Sequence, residues 1–285
     1  QDLFEPGSTF KPINLALALE EKVIQKEGLV EDIGKIDVGG WTLSNWDKRG
    51  NGYIDYPEVL QVSSNVGMVK IMQKLDPAIY WDWLKNLGID KTIETDLYES
   101  TAGQLKAKDL FVKRSIEPAV ASYGKGFSIS PLKLVQLHAA LANGGFEVTP
   151  HVTSSFNEIQ KQNSKKQFFS QEVSQTVLEW MESVVDKGSG SGVKIEGYRI
   201  AGKTGTSQKA IDGSYTSKKV CSFVASFPVN DPKYVVLVVI DEPSKSYAYG
   251  ATVAVPVAKE IIESLIVIEK IPPKIKDHGM IVKKP

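Results

Sequence analysis

Glu5-Pro6-Gly7-Ser8-Thr9-Phe10-Lys11-Pro12 stands near the start of a chain of 285 residues, and it sets a serine and a lysine three positions apart at the head of a helical pattern. Leu15, Leu17, Ala18, Leu19 and Val23 follow as an apolar stretch that closes in polar residues before Gly28. Pro12 has no amide hydrogen and would disrupt a helix interior, so the helix is expected to begin close to Ser8. Three residues are nearly one helical turn, which puts Ser8 and Lys11 on one face, within reach of each other. A serine hydroxyl is a poor nucleophile until a neighbour takes its proton. Lysine does so only when neutral, and its free pKa of about 10.4 must be lowered by desolvation or by a nearby cation. A helix start also offers free amide hydrogens and a positive dipole end, both suited to an oxyanion. The plainer reading makes Ser8 a cap and Lys11 a surface residue. For an isolated S-x-x-K that reading prevails, because the spacing arises by chance.

Two further stretches change the balance. Ser63-Ser64-Asn65 interrupts the helical pattern of PEVLQVSSNVGMVKIMQKL (57–75), which reads as two helical pieces meeting at a polar turn. Lys203-Thr204-Gly205-Thr206 lies in YRIAGKTGTS (198–207), an apparent strand with a glycine where a ligand backbone can approach closely. Each motif alone is weak. In this order and on these elements, S-x-x-K, S-x-N and K-T-G form the signature of class A β-lactamases and penicillin-binding proteins. The wider text EPGSTFKP, SSNVGM, YGKGFSISPLKL and IAGKTGTSQ resembles the monofunctional, class B penicillin-binding proteins, the septal or elongation transpeptidases, from Glu5 to about Ile262.

The resemblance implies a role for each matching residue. Ser8 attacks the carbonyl of the penultimate D-alanine of a peptidoglycan stem peptide and becomes an acyl ester. Lys11 accepts the serine proton, Ser63 relays a proton to the departing D-alanine, and Asn65 holds the Lys11 amine and the substrate amide. Lys203 supplies the positive charge that helps keep Lys11 neutral. Thr204 and Thr206, with Gly205 between them, bind the substrate carboxylate, and the amides of Ser8 and Thr206 form an oxyanion hole, often worth ~3 kcal/mol per donor. The amine of a second stem peptide then takes the acyl group. No metal and no cofactor is called for. β-Lactams acylate Ser8 by the same route, and hydrolysis afterwards is expected to be slow, since none of Glu94, Glu99 and Glu117 sits in an E-x-x-L-N-type context. S-T-F-K is also similar to class D β-lactamases, whose S-x-V motif differs from Ser63-Ser64-Asn65.

The implied fold is α+β, of the penicillin-binding-protein and serine β-lactamase kind: an antiparallel sheet packed between helices, with an all-helical subdomain. Local patterns agree. Residues 77–88, 131–143 and 171–187 read as helices, the second opened by Ser130-Pro131 and closed by Asn143-Gly144-Gly145. Residues 198–207, 219–229 and 233–243 read as successive strands joined tightly enough to be antiparallel neighbours, followed by a helix over about 256–268. Residues 31–57 read as loops with short strands, and 154–170 as a polar surface hairpin or loop. The expected organisation is one transpeptidase domain over 1–285, with a mainly helical subdomain over about 30–145, sheet and packing helices over about 171–268, and a tail at 269–285. Val235 to Ile240 is apolar at every position, which predicts a strand buried on both faces with neighbours on both sides. Residues 219–229 supply one neighbour, and the resemblance implies that the other comes from strands encoded upstream, so the sheet is expected to lack its N-terminal strands.

Composition narrows the rest. Lys plus Arg and Asp plus Glu number 34 each, so there is no basic excess and no support for nucleic-acid binding. A lone cysteine, Cys221, excludes an internal disulfide, and His138, His151 and His278 show no ligand spacing. Trp41, Trp46, Trp81 and Trp83 read as packing or loop anchors rather than a sugar-binding platform. No apolar run approaches the ~18 residues that cross a bilayer. The implied location is the extracytoplasmic face of a bacterial cell membrane, held by an N-terminal helix absent from this chain. Expected partners are stem peptides, β-lactams, and division or elongation proteins of the envelope. Alternatives are the transpeptidase half of a bifunctional class A protein, a β-lactamase, and a β-lactam sensor or non-catalytic division scaffold.

Overall fold

Residues 2–98, 100–153, 155–156, 159–160, 166–211, 214–245 and 247–273 are described by the computed structural model. Gly7–Phe10 form a 3-10 turn that runs directly into helix α1 (Lys11–Glu20). Pro12 falls in the first turn of α1, where its missing N–H leaves nothing unpaired. Ile13, Leu15, Ala16, Leu17 and Ala18 are all fully buried, so α1 is apolar all round because it is the central helix of the core.

Four short strands come next, paired as two antiparallel hairpins: β1 (Leu29–Asp32) with β4 (Gly52–Asp55), and β2 (Lys35–Val38) with β3 (Trp41–Ser44). The polar interruption predicted at 63–65 separates α2 (Tyr56–Gln61) from α3 (Asn65–Met72). Helices α4 (Pro77–Asn86), α5 (Lys108–Lys113), α6 (Ile116–Ala121) and α7 (Pro131–Ala142) follow, with Asp76 and Ser130 capping α4 and α7. The sequence pattern did not anticipate α5 and α6, each of six residues. A small hairpin, β5 (Ser155–Phe156) with β6 (Ile159–Gln160), accords with the reading of 154–170; residues 154, 157–158 and 161–165 lie outside the described residues. So do Glu99, His278 and residues 274–285 of the expected tail.

Helix α8 (Gln171–Lys187), capped by Ser170, leads to a three-stranded antiparallel sheet in the order β7 (Ala201–Ile211), β8 (Ser214–Phe227), β9 (Tyr234–Asp241). Its two faces are covered separately. Ala201, Val224 and Leu237 pack with α1 and α8 in the main core, while Phe223, Ala225, Val236 and Val238 pack with Ala258 and Ile262 of α9 (Val255–Ile268). This is the α+β arrangement expected. As expected, β9 pairs with β8 alone among the described residues. Its continuous apolar run is covered by helices on both of its faces, and its other edge has no strand beside it among the described residues. The β7–β8 hairpin is longer than predicted, since pairing continues past a register shift between Gln208 and Ala210 as far as Ile211 opposite Ser214.

Candidate active site

Three segments that carry the sequence motifs meet at one end of β7. Lys11 and Lys203 are both 0% exposed. Lys11 Nζ donates to the Ser63 carbonyl at 2.6 Å, to Asn65 Oδ1 at 2.9 Å and to Ser63 Oγ at 3.2 Å. Lys203 Nζ donates to the same Ser63 hydroxyl at 3.0 Å and to the Thr204 carbonyl at 3.2 Å. Burial, and then the neighbouring Lys203 charge, hold the Lys11 ammonium well below the usual lysine range, with Asp32 acting in the opposite sense. Burial pulls Lys203 down to about 7.

The backbone that presents these groups is locally unusual. Ser63 has φ +57, a left-handed conformation that costs an L-residue roughly 1–2 kcal/mol. It aims the Ser63 carbonyl and hydroxyl at Lys11 together. Ahead of α1, Gly7 has φ +55 and donates to the Gly124 carbonyl at 2.9 Å. Gly124 itself has φ +81, and a Cβ there would lie 2.1 Å from Gly7 O, so YGKG braces the Ser8 turn from behind through bare backbone. Thr9 Oγ1 donates to Pro6 O at 2.7 Å, and buried His138 contacts Thr9 O through Nε2 at 2.8 Å. The other nitrogen of that ring, Nδ1, has no hydrogen-bond partner among the described residues, so the histidine expected to be satisfied is only half so. Ser8 is half-buried, and no hydrogen bond to its hydroxyl occurs among the described residues.

Glycine at 205 has a different cause from the one expected. A Cβ on Gly205 would meet Ser222 Oγ at 2.4 Å and the Thr9 methyl at 3.0 Å, so the glycine lets the Ser8 turn seat directly on β7. Thr204 Oγ1 shares a hydrogen bond with Ser189 Oγ at 2.8 Å, and Thr206 Oγ1 accepts from the Gly250 amide at 2.9 Å. Among the described residues β7 is an edge strand, paired with β8 only.

Sequence reasoning missed the residues that support this cluster. Asn45 and Asp32 sit behind the Ser63 turn, and Ser189 lies in a stretch that read only as a helix stop. Asn14 Nδ2 donates to the carbonyls of Ala121 and Ser122 while Tyr80 donates to its Oδ1, tying α1 to α4 and α6. No spacing rule marks such residues, because their partners are remote in the chain. Trp81 and Trp83 are anchors as expected, donating to Lys106 O and to Glu21. Trp41 and Trp46 are not packed: they are 66% and 71% exposed, and the Trp46 ring meets Tyr249 edge-on, with centroids 6.2 Å apart.

A helix-braced antiparallel sheet with S-x-x-K, S-x-N and K-T-G-T gathered at its edge strand is the architecture of the penicillin-recognising serine proteins. Comparison with known proteins narrows the class. The family model described as penicillin binding protein transpeptidase domain matches residues 1–263, and the chain belongs to that family. It is 42% identical over 304 aligned residues to the peptidoglycan D,D-transpeptidase FtsI homolog of Mesostigma viride, covering 96% of this chain and 51% of that protein. It is 36% identical to the stage V sporulation protein D of Bacillus subtilis (strain 168), covering 91% of this chain and 41% of the relative. Among solved structures, the apo transpeptidase (TP) domain of Burkholderia pseudomallei penicillin-binding protein 3 superposes with a TM-score of 0.88 at 29% identity, covering 97% of this chain and 82% of that one. The chain thus spans about half the length of the first curated relatives it matches.

Proposed function

We propose that this chain carries the acyl-transfer centre of a peptidoglycan D,D-transpeptidase, with Ser8 as nucleophile. The observation that carries the reading is the fully buried Lys11 amine, held between Ser63 and Asn65 with a second buried lysine on the far side of the Ser63 hydroxyl. A neutral Lys11 gives its two N–H groups to the Ser63 carbonyl and Asn65 Oδ1, which leaves its lone pair free to take a proton. In the forward step the Ser8 oxygen bonds to the carbonyl carbon of a D-Ala-D-Ala stem peptide while its proton passes to Lys11. Collapse of the tetrahedral adduct breaks the amide bond, and the departing D-alanine amine receives a proton through the Ser63 hydroxyl. The amine of a second stem peptide then attacks the acyl ester, which restores Ser8 and forms the cross-link.

The rest of the site supports the same reading. Lys203 and the hydroxyls of Thr204 and Thr206 suit a substrate carboxylate, and Gly205 seats the Ser8 turn beside them. The amides of Ser8 and Thr206 serve as the oxyanion hole. The free edge of β7 offers backbone pairing to an extended peptide. β-Lactams, with a strained amide and a carboxylate, acylate Ser8 by the same path. No helix among the described residues is long and apolar enough to cross a membrane. The reading places the reaction on the extracytoplasmic face, where peptidoglycan lies, with division or elongation proteins of the envelope as partners. It treats 1–285 as one transpeptidase unit, with about 30–145 as the subdomain that supplies Ser63 and Asn65.

Labelling with a fluorescent penicillin tests this directly. Wild-type protein is expected to become covalently labelled at Ser8, Ser8→Ala is not, and labelled protein is expected to release no D-alanine from a stem peptide. A folded wild-type protein that takes no label overturns the proposal.

A further inference from the structure

Behind the Ser63 turn lies a buried polar hub that the acyl-transfer chemistry does not itself use. Asp32, at the end of β1, is 0% exposed, and among the described residues no cation pairs with it. It accepts instead from the Gly34 amide at 2.9 Å, from Asn51 Nδ2 at 2.6 Å, and from Asn45 Nδ2 at 2.8 Å on each oxygen. Burial alone would push this carboxyl up, but the donors Asn51, Gly34, Ser64 and Asn45 outweigh it and hold the group below its ordinary value.

Asn45, itself buried, points the opposite end of its amide at the active site. Its Oδ1 accepts from the amides of Asn65 at 2.8 Å and Val66 at 3.1 Å, and its Nδ2 also donates to Arg49 O at 2.8 Å. These are the first two orphan N–H groups of α3, while the N-cap Ser64 takes the third, that of Gly67, at 2.8 Å. The division of labour is forced. An ionised carboxylate only accepts, so only the NH₂ end of Asn45 can face it, and the oxygen must then face α3. From the other side Asn65 Nδ2 donates to Ser44 O at 3.0 Å, which fixes the Asn65 amide so that its oxygen turns to Lys11.

We infer that Asp32 and Asn45 are positioning residues for acyl transfer: the Asp32 carboxylate orients Asn45, and Asn45 holds the start of α3 so that Ser63 and Asn65 meet the Lys11 amine. The inference rests on the catalytic reading above and adds to it a chain of contacts from β1 to the reacting lysine. Displacing that turn by an ångström costs acyl transfer far more than it costs the fold, because only the reaction depends on the Lys11 contacts to that accuracy.

The test uses the full chain, with Asp32→Asn and Asn45→Ala as variants and Asn51→Ala, at an exposed position, as a milder one. Three quantities are read: the acylation rate constant at saturating fluorescent penicillin, the half-saturation concentration, and amide hydrogen exchange over 62–72. Expected is a loss of about tenfold to a hundredfold in the rate constant of the protein that labels, with half-saturation within about threefold and faster exchange at Asn65 and Val66. A merely structural role lowers melting temperature and the fraction that labels, with the rate constant of that fraction unchanged; that result overturns the inference. Unaltered exchange at Asn65 and Val66 overturns it as well. Absence of labelling in the wild type removes the catalytic reading alone, since the exchange arm still decides whether the hub holds the turn.

Discussion

Lys203 Nζ reaches the Ser63 hydroxyl at 3.0 Å, which joins the edge strand of the sheet to the turn ahead of α3. Lys11 approaches the same hydroxyl at 3.2 Å. One small hydroxyl therefore lies between two fully buried amines, and their charges act on each other through it.

In the proposed reaction, removing Lys11 removes the proton acceptor. Lys11→Ala is expected to lower the acylation rate by about 10²–10⁴-fold, the usual worth of a positioned base. Stopped-flow fluorescence with a labelled penicillin measures it. A loss below tenfold would mean that another group takes the serine proton.

The pH dependence follows from the direction of the shifts. Only neutral Lys11 accepts a proton, so acylation rises with pH through the depressed Lys11 ionisation, far below that of a free lysine. Lys203 is one cause of that depression. In Lys203→Met the Lys11 ionisation therefore moves up, and the acid limb of the pH–rate profile moves to higher pH. A limb that stays in place, or shifts to lower pH, contradicts the coupling.

Stability carries the same signature with its own sign. Folded Lys203 titrates at about 7 against 10.5 for a free, solvent-exposed lysine, so between these pH values the unfolded chain binds the additional proton. Resistance to urea is expected to increase as pH rises from 7 toward 10, and more steeply in wild type than in Lys203→Met. Parallel slopes for the two proteins would show that the Lys203 proton is not lost on folding.

Gly124→Ala tests the brace behind Ser8. Its Cβ would fall 2.1 Å from Gly7 O at a residue with φ +81, and both effects oppose folding. A destabilisation above about 2 kcal/mol is expected, together with slower labelling. Equilibrium urea unfolding gives the first and the penicillin assay the second; Gly144→Ala, whose nearest neighbour is the Gln171 side chain at 3.7 Å, controls for positive φ alone.

The three motifs were legible because their chemistry is local: Ser8 and Lys11 lie one turn apart, and Ser63-Ser64-Asn65 breaks an apolar pattern that would otherwise run on. Punctuation was legible too, with Ser130-Pro131 opening α7 and with α8 running over 171–187 as read. What escaped was non-local. Asn45 acts on Asn65, 20 positions on, and Asp32 is held by Asn51, 19 positions on, while their type alone suggests only a loop. Helices α5 and α6 are too short to show a period, and the outer pairing of the β7–β8 hairpin follows a register shift that interrupts its alternation. Gly205 was noticed for the right position and the wrong reason, since its crowding partner Thr9 is brought there only by the fold.

Lys11 comes from the first helix, Ser63 and Asn65 from a turn some fifty residues on, and Lys203 from a strand 140 residues beyond Ser63. A half-assembled chain owns every one of these side chains and none of their mutual contacts. On the proposed reaction a covalent antibiotic would count natively closed molecules one by one, and the labelled fraction of a preparation would serve as a census of its folding rather than of its mass.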